Sequence, residues 1–211
     1  MKKRHVLRLL MLLLMIGLTV EGVYLLKHYQ LIKGERALPI LGEVADFSFP
    51  TAEGKILTRH DLGGKVWIAD LIFTSCHSQC VIMSRQMERL QKSLADRQNV
   101  DFVSITVDPA KDTPEVLSQY ARRFNALSGR WHFLSGRKEE IYSFAQKSLR
   151  LGVAPNEKIA LGEDAILHSS KLVLIDHHFR IRGYYDGTED KAMKRLLSDV
   201  RNLIQADGGW R

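Results

Sequence analysis

The chain has 211 residues, of which 45% are hydrophobic and 26% charged, so it has room for one globular domain and a short additional segment. Its formal charge of +7 is unevenly placed, because residues 1–36 hold seven Lys or Arg against two Asp or Glu and the remaining 175 residues carry only +2. A nucleic-acid-binding protein needs positive charge clustered on its folded body. This distribution therefore argues against nucleic acid as a partner.

The first predicted element is an apolar segment from Val6 to Leu26, which Lys2, Lys3, Arg4 and Arg8 precede or open. About 20 apolar residues in a helix span a bilayer core. The positive-inside rule puts the N-terminus in the cytoplasm and the rest of the chain outside. A cleaved signal peptide is the alternative, but no small-residue cleavage site follows the apolar run. We therefore expect one uncleaved transmembrane helix in the cell (inner) membrane, with the following domain on the periplasmic or extracytoplasmic side.

Three segments are expected along the chain. Residues 1–28 form a cytoplasmic tip and transmembrane anchor, residues 29–40 a linker, and residues 41–211 one folded domain. Pro39 favours a boundary at this point, because the residue before a proline avoids helical geometry. The rest of the chain contains no repeat or low-complexity tract that would indicate a second folded domain.

The folded domain alternates predicted strands and helices. Strands are predicted at 47–49, 55–57, 66–73, 100–107, 131–134, 172–175 and 179–185, from their apolar and β-branched residues. Helices are predicted from Cys80 to about Leu94, from Thr113 to about Phe124, over 141–149 and over 193–204. This order predicts an α/β sandwich with a mixed central sheet, in which 131–134 is an edge strand.

The only two cysteines, Cys76 and Cys80, lie where the buried strand 66–73 meets the following helix. Three intervening residues make about one helical turn, so the sulfurs should lie on the same side of the helix terminus. A helix N-terminus favours thiolates, and we therefore expect a lowered pKa for both thiols. Two such thiols form either a reversible disulfide or half of a soft-metal site. A merely stabilising disulfide is less favoured, because so short a loop restricts the unfolded chain little.

Three segments together resemble the Sco/SenC family of exported copper proteins: Phe73-Thr-Ser-Cys-His-Ser-Gln-Cys80, Ser104-Ile-Thr-Val-Asp-Pro-Ala-Lys-Asp-Thr-Pro-Glu115 and Leu167-His-Ser-Ser-Lys-Leu-Val-Leu-Ile-Asp176. The resemblance runs over about residues 38–205. It implies a thioredoxin-like fold and copper bound by Cys76, Cys80 and His168. It also implies delivery of copper, or of reducing equivalents, to the copper-site subunit of cytochrome c oxidase or to another exported copper protein.

The chain departs from that family at three positions. Family members usually have proline after each cysteine, where this chain has His77 and Val81, and many have aspartate before the ligand histidine, where it has Leu167. His77 is a candidate additional donor beside the thiols. Asp108 follows strand 100–107 and is a candidate supporting group, because ligands of open α/β sheets gather beyond the carboxyl ends of strands. A simple Asp-Pro turn is the alternative for Asp108.

The remaining polar residues considered are expected to have structural roles and not to take part in the chemistry of the site. Asp112 and Thr113 are expected to be helix-entry residues, and His60, His132 and the pair His177-His178 to lie at loop edges or in a solvated turn.

Two functions compete. The first is a copper chaperone that binds Cu(I) or Cu(II) and transfers it by ligand exchange, without turning over a substrate. The second is a membrane-anchored thiol–disulfide oxidoreductase that reduces the cysteines of a partner. Exchange enzymes of this fold typically carry CxxC and a cis-proline, whereas this chain has CxxxC and no proline after Pro155. A peroxidase that uses Cys76 as its reactive thiol is a third possible function. The metallochaperone is therefore the expected function.

Overall fold

The computed structural model describes residues 5, 11, 14–25, 38–151 and 169–206. The chain divides into two compact units between Ala37 and Leu38. In the first unit residues 14–25 are helical and mostly exposed. No helix among the described residues is long and apolar enough to cross a membrane. Positions 6–10, 12, 13 and 26 of the expected span lie outside the described residues.

The second unit alternates strands and helices in the expected order, with one additional short strand, Gly42–Glu43, at its start. Its strands are β1 (Gly42–Glu43), β2 (Ser48–Pro50), β3 (Ile56–Thr58), β4 (Val66–Ile72), β5 (Val100–Thr106), β6 (Trp131–Leu134), β7 (Lys171–Ile175) and β8 (Arg180–Asp186). Its α-helices are α1 (Gln79–Ser93), α2 (Pro114–Arg123), α3 (Lys138–Ser143) and α4 (Asp190–Ala206). A 3₁₀ turn at Arg59–Leu62 and a π-helical turn at Phe144–Ser148, which continues α3, complete the described elements.

Six of the described strands form one mixed sheet in the order β1-β8-β7-β4-β5-β6, and β2 pairs with β3 in a separate hairpin. The strands β4, β5 and β6 are parallel, whereas β7 runs antiparallel to β4 and β8 antiparallel to β7. Every residue of β4 and β5 is buried, which explains their almost continuous apolar sequences. The expected mixed sheet is confirmed, and β6 lies at its edge as expected.

Two apolar clusters cover the two faces of this sheet. The first joins β4 and β5 to apolar residues of α1, α2 and α4, among them Met83, Leu117 and Leu196. The second joins the same strands to the β2–β3 hairpin, the 3₁₀ turn and the α3 segment, through residues such as Phe49 and Phe144. The result is the expected sandwich, with a sheet between two layers.

The strand register brings three connections to one end of the sheet. Ile72, the last residue of β4, pairs with Thr106, the last residue of β5. Because β7 is antiparallel to β4, with Ala69 opposite Val173, β7 begins at this same end. The connections from β4 to α1 and from β5 to α2, and the residues that precede Lys171, therefore meet at the carboxyl end of β4. We refer to this region as the thiol end.

Candidate metal centre

Both cysteines lie at the thiol end. Cys76 follows β4 in a turn whose Cys76 N–H donates to the Phe73 carbonyl at 3.1 Å, and Cys80 is the second residue of α1. The backbone N–H of Cys80 donates to Cys76 Sγ at 3.5 Å, so the helix N-terminus contacts the first sulfur. Both cysteines are free thiols, with only 9% of Cys76 and 6% of Cys80 exposed.

The two thiols share one small cavity of about 90 Å³. Its other lining residues include Leu71, Met83, Val107 and Ser169. The cavity is therefore mostly apolar and contains sulfur-bearing residues, a combination that suits a soft metal ion better than a hard one. Ser169 belongs to the residues before β7, which the register brings to the thiol end.

The protonation states of the two thiols differ. Burial by itself raises the pKa of Cys76, but hydrogen bonds from the backbone of Cys80 and Ser78 outweigh it and hold that pKa below its ordinary value. Burial raises the pKa of Cys80 to about 12. The expectation of a lowered pKa is therefore wrong for Cys80, since its desolvation exceeds any benefit from the helix terminus. Cys76 is the more acidic, and hence the more reactive, thiol.

Asp112 has a larger role than the helix entry expected of it. Its fully buried carboxylate accepts hydrogen bonds from the Thr74 N–H at 3.1 Å, from the Thr74 hydroxyl at 2.5 Å and from the Thr106 hydroxyl. Thr74 lies two residues before Cys76, so this carboxylate links the thiol loop to the loop after β5. The neighbouring Thr113 is the expected helix cap, because its hydroxyl accepts from the Val116 N–H.

Asp70 is a second acidic residue that sequence reasoning missed. It is completely buried in β4, and neither of its carboxylate oxygens has a close hydrogen-bond partner among the residues that the structure describes. Burial raises the pKa of Asp70 to about 7. The nearby Ser104 hydroxyl, which accepts the indole proton of Trp131 at 2.9 Å, lowers this pKa only in part because it forms no close hydrogen bond to the carboxylate. The signal in the sequence was a lone aspartate inside the apolar run Val66–Ile72.

The other predicted site residues that the structure describes, His77 and Asp108, are not among the residues that line the cavity. His77 is exposed in the turn between the two cysteines. Asp108 is partly buried after β5, and its carboxylate lies 3.4 Å from Lys111 Nζ, while the preceding Val107 lines the cavity. His168 lies outside the described residues, although the next residue, Ser169, lines the cavity. In the described part of the chain no three His, Cys, Asp or Glu side chains group together as a metal site.

The remaining histidines are at other places in the fold. His60 is exposed in the 3₁₀ turn. His132 on β6 is half-buried, with its Nε2 at 3.5 Å from Asp101 Oδ2. His177 and His178 occupy the turn between β7 and β8, with ring centroids 3.9 Å apart. Because Ile175 pairs with Trp67, this turn lies at the end of β4 opposite the thiols.

Comparison with known protein families adds independent evidence. Residues 41–205 match the sequence model of the SCO1/SenC family. The SCO1 protein homolog of Bacillus subtilis is 35% identical over 166 residues, which cover 78% of this chain and 84% of the relative. A protein of Stutzerimonas stutzeri, named as a candidate copper-binding protein, is 30% identical over 157 residues, which cover 73% of this chain and 71% of the relative.

Solved structures agree with this assignment. A SCO1/SenC family lipoprotein of Bacillus anthracis superposes with a TM-score of 0.70 at 29% identity, covering 80% of this chain and 98% of its own. BsSco, described as a member of the Sco family of cytochrome c oxidase assembly proteins and as containing a disulfide switch, gives a TM-score of 0.69 at 32% identity, with 81% and 98% coverage. Copper-bound ScoI of Arabidopsis thaliana, at 24% identity, 75% and 98% coverage and a TM-score of 0.60, shares the fold. The fold is thioredoxin-like, and the chain belongs to the SCO1/SenC family.

Proposed function

We propose that this protein is a copper chaperone that carries Cu(I) or Cu(II) on Cys76, Cys80 and His168. The observation that carries the proposal is the shared cavity, which both cysteines line together with Ser169, the residue after His168. Two thiolates and an imidazole suit copper, and a closed structural zinc site would need a fourth protein ligand. The copper-binding description of the Stutzerimonas relative supports the same cargo. Copper here is cargo, which leaves by exchange onto ligands of the recipient.

The recipient that we propose is the copper-site subunit of cytochrome c oxidase. The description of BsSco as a member of a family of cytochrome c oxidase assembly proteins supports this partner. Another exported copper protein is the alternative recipient, because the cavity itself selects the metal and not the protein that receives it.

Copper titration of the reduced full-length protein tests the cargo. One equivalent of Cu(I) should bind in competition with a chelator, and Cu(II) should produce a thiolate charge-transfer band in the visible spectrum. Both signals should collapse in Cys76→Ser and His168→Ala. His132→Ala is the matched control, because it removes a histidine from β6 beside Asp101 and should bind like the wild type. Wild-type protein that binds no copper would exclude the chaperone function.

A thiol–disulfide reductase is the second candidate, and the unequal thiols favour it. The more acidic Cys76 would attack a partner disulfide, release one partner thiolate and form a mixed disulfide. Cys80 would then lose its proton and attack Cys76, which releases the second partner thiol and leaves a Cys76–Cys80 disulfide. Reduction of a model disulfide by the metal-free protein tests this function. Rapid reduction without any copper binding would favour it over the chaperone.

We also propose that residues 6–26 anchor the chain in the cell membrane with the folded unit outside the cytoplasm. The apolar sequence and the four preceding or opening cations support this orientation. Membrane fractions should retain the protein after an alkaline wash, and protease added to spheroplasts should degrade the folded unit. Release by the wash, or protection from the protease, would contradict the proposal.

A further inference from the structure

Asp112 is the buried group that connects the thiol loop to the loop after β5. Its carboxylate is fully buried and accepts from three donors: the Thr74 N–H, the Thr74 hydroxyl and the Thr106 hydroxyl. Thr106 is itself fixed, because it ends β5 opposite the last residue of β4 and its hydroxyl accepts from the Asp108 N–H at 3.1 Å. The carboxylate therefore ties Thr74 to a rigid point of the sheet.

The contact between Asp112 and Thr74 lies close to Cys76. Thr74 is the second residue after β4, and only Ser75, which is exposed, separates it from Cys76. The turn is closed by the Cys76 N–H, which donates to the Phe73 carbonyl at 3.1 Å. Without the carboxylate, this short exposed turn would lose its buried side-chain anchor. The position of the Cys76 sulfur relative to Cys80 would then be less restricted.

The helix α2 also holds the other cysteine. The Tyr120 hydroxyl lies 3.4 Å from the carbonyl of Cys80 and 2.9 Å from the Ser84 hydroxyl, and Tyr120 is almost fully buried. The segment from Asp112 to Tyr120 thus contacts the polypeptide on both sides of the thiol pair. A single rigid segment of this kind can fix the separation of two sulfurs on different elements.

We propose that Asp112 is a positioning residue for the thiol pair: its carboxylate holds Thr74 and thereby sets the geometry of Cys76 against Cys80. Asp112 is not among the residues that line the cavity. Its action is to raise the effective concentration of one thiol at the other, and hence the affinity of the pair for copper. The copper part of this inference rests on the proposed function, whereas the thiol geometry does not.

A redox equilibrium measures that geometry without copper. In glutathione buffers the two thiols lose two electrons and two protons as one glutathione disulfide becomes two glutathione molecules. Replacing the anionic acceptor in Asp112→Asn weakens charge-assisted hydrogen bonds to Thr74, and the equilibrium constant for the Cys76–Cys80 disulfide should fall about tenfold. The affinity for Cu(I) should fall by a similar factor.

Variants of the donor side keep the proposal testable if Asp112→Asn folds poorly. Thr74→Val removes the hydroxyl donor and should lower the same equilibrium constant about threefold, in line with one lost hydrogen bond. Thr74→Ser restores the hydroxyl and should behave like the wild type. The double variant Asp112→Asn/Thr74→Val should lower the equilibrium constant for the disulfide by less than the product of the two single effects. Both substitutions remove the same contact between Asp112 and Thr74.

Asp101→Asn is the matched control for general loss of stability. Asp101 is another buried carboxylate of β5, but it lies five residues, about 16 Å, from Thr106 at the other end of the strand. It should lower stability and leave the glutathione equilibrium unchanged. An unchanged equilibrium in both Asp112→Asn and Thr74→Val would overturn the proposal. If wild-type protein binds no copper, the chaperone function fails, and the glutathione equilibrium still decides the role of Asp112.

Discussion

Buried carboxylates have different kinds of partner at the two ends of β4 and β5. At the end opposite the thiols, Asp101 lies 2.6 Å from Lys65 Nζ. In the adjacent β7–β8 turn, Asp176 lies 2.8 Å from Arg180 and 2.7 Å from Arg182. Each of these buried acids thus has at least one cationic partner, and the charge is neutralised within the chain.

The two fully buried acids of the thiol end, Asp70 and Asp112, have no such cationic partner among the described residues. Asp112 accepts hydrogen bonds from hydroxyl and backbone donors, whereas Asp70, in the half of β4 nearer the thiols, has no close hydrogen-bond partner in the described part of the chain. Neither of these two acids forms an ion pair with any residue that the structure describes. Two thiols that must lose protons to bind metal lie at the same end.

The ion-paired acids at the opposite end contribute to stability, whereas the acids without cations lie at the end that carries the reactive thiols. A buried carboxylate without a cationic partner is costly to ionise, so its ionisation at the thiol end would be favoured by a nearby positive charge. A copper ion would supply such charge, and this agrees with the proposed function. The opposite end, already neutralised, has nothing comparable to offer a cation.

The largest expected effect is at the neutralised end. In Asp176→Ala, Arg182 would remain buried without its carboxylate, and the free energy of unfolding should fall by about 3–5 kcal/mol. Burial alone would raise the pKa of Asp176, but hydrogen bonds from Arg182 and Arg180 lower it, so the native pairing is fully present at neutral pH. Urea unfolding at pH 7 measures the loss. The exposed Glu189→Ala is the control and should change stability by less than about 0.5 kcal/mol.

The next largest effect is at the thiol end, where ionisation of Asp70 should lower the free energy of unfolding as the pH rises. The dependence on pH is the reverse of that expected for Asp176. The unfolded chain loses the Asp70 proton near the ordinary pKa of 3.8, whereas the folded chain keeps it up to about 7. The folded state therefore binds more protons in this range, and stability falls as pH rises. At about 1.36 kcal/mol per pKa unit, Asp70 should remove about 3 kcal/mol between pH 5 and pH 8.

Asp70→Asn should abolish that part of the pH dependence. The measurement is urea unfolding of the reduced protein at pH 5 and pH 8, with wild type and variant compared at each value. Ionisable neighbours that interact with Asp70, namely Cys80 and Tyr120, keep their protons in this range because burial raises the pKa of each. A variant with the same pH dependence as the wild type would remove Asp70 from the comparison.

Most of the fold could be predicted from the sequence because its longer elements carry local signals, such as helical periodicity, continuous apolar runs and helix caps. The buried run Val66–Ile72 and the capped start of α2 are examples. Strand β1 could not be predicted, since two residues carry no period and its pairing with β8 is a tertiary event. The helix expected over 141–149 is an α-helix that ends at Ser143 and continues as a π-helical turn.

The site was less predictable than the fold, for a physical reason. The cysteine motif is local, and its place between a strand and a helix could be read from adjacent residues. The raised pKa of Cys80 depends on burial by distant elements. Asp112 and Thr74 are 38 residues apart, so their contact depends on the register of β4 and β5. The role of His168 stays a prediction that rests on the family resemblance.

Copper itself should have the third largest effect. A ligand that binds only the folded state stabilises it by about 2.7 kcal/mol when its free concentration is 100 times the dissociation constant. Buffered Cu(I) at this ratio should therefore raise the stability of the reduced wild type by up to that amount, because copper bound by the cysteines of the unfolded chain reduces the gain. Cys76→Ser should gain no such increase. An equal gain in the variant would mean that the metal binds elsewhere and that the charge deficit of the thiol end is irrelevant to it.

The smallest effect concerns the cation nearest to Asp108. Lys111 lies 3.4 Å from this carboxylate, but its side chain is 72% exposed, and exposed ion pairs contribute little because water and salt screen them. Lys111→Ala should therefore lower the free energy of unfolding by less than about 0.5 kcal/mol. It should also leave the glutathione equilibrium of the thiols unchanged.

This small effect is the sharpest check of the contrast between the two ends. If Lys111 neutralised the thiol end as Lys65 neutralises Asp101, its loss would cost stability on the scale of a buried pair and would be insensitive to salt. An exposed pair instead loses its already small contribution as the ionic strength increases. Unfolding of Lys111→Ala and Lys65→Ala at low and high salt distinguishes the two cases, because a salt-resistant loss is expected only for Lys65.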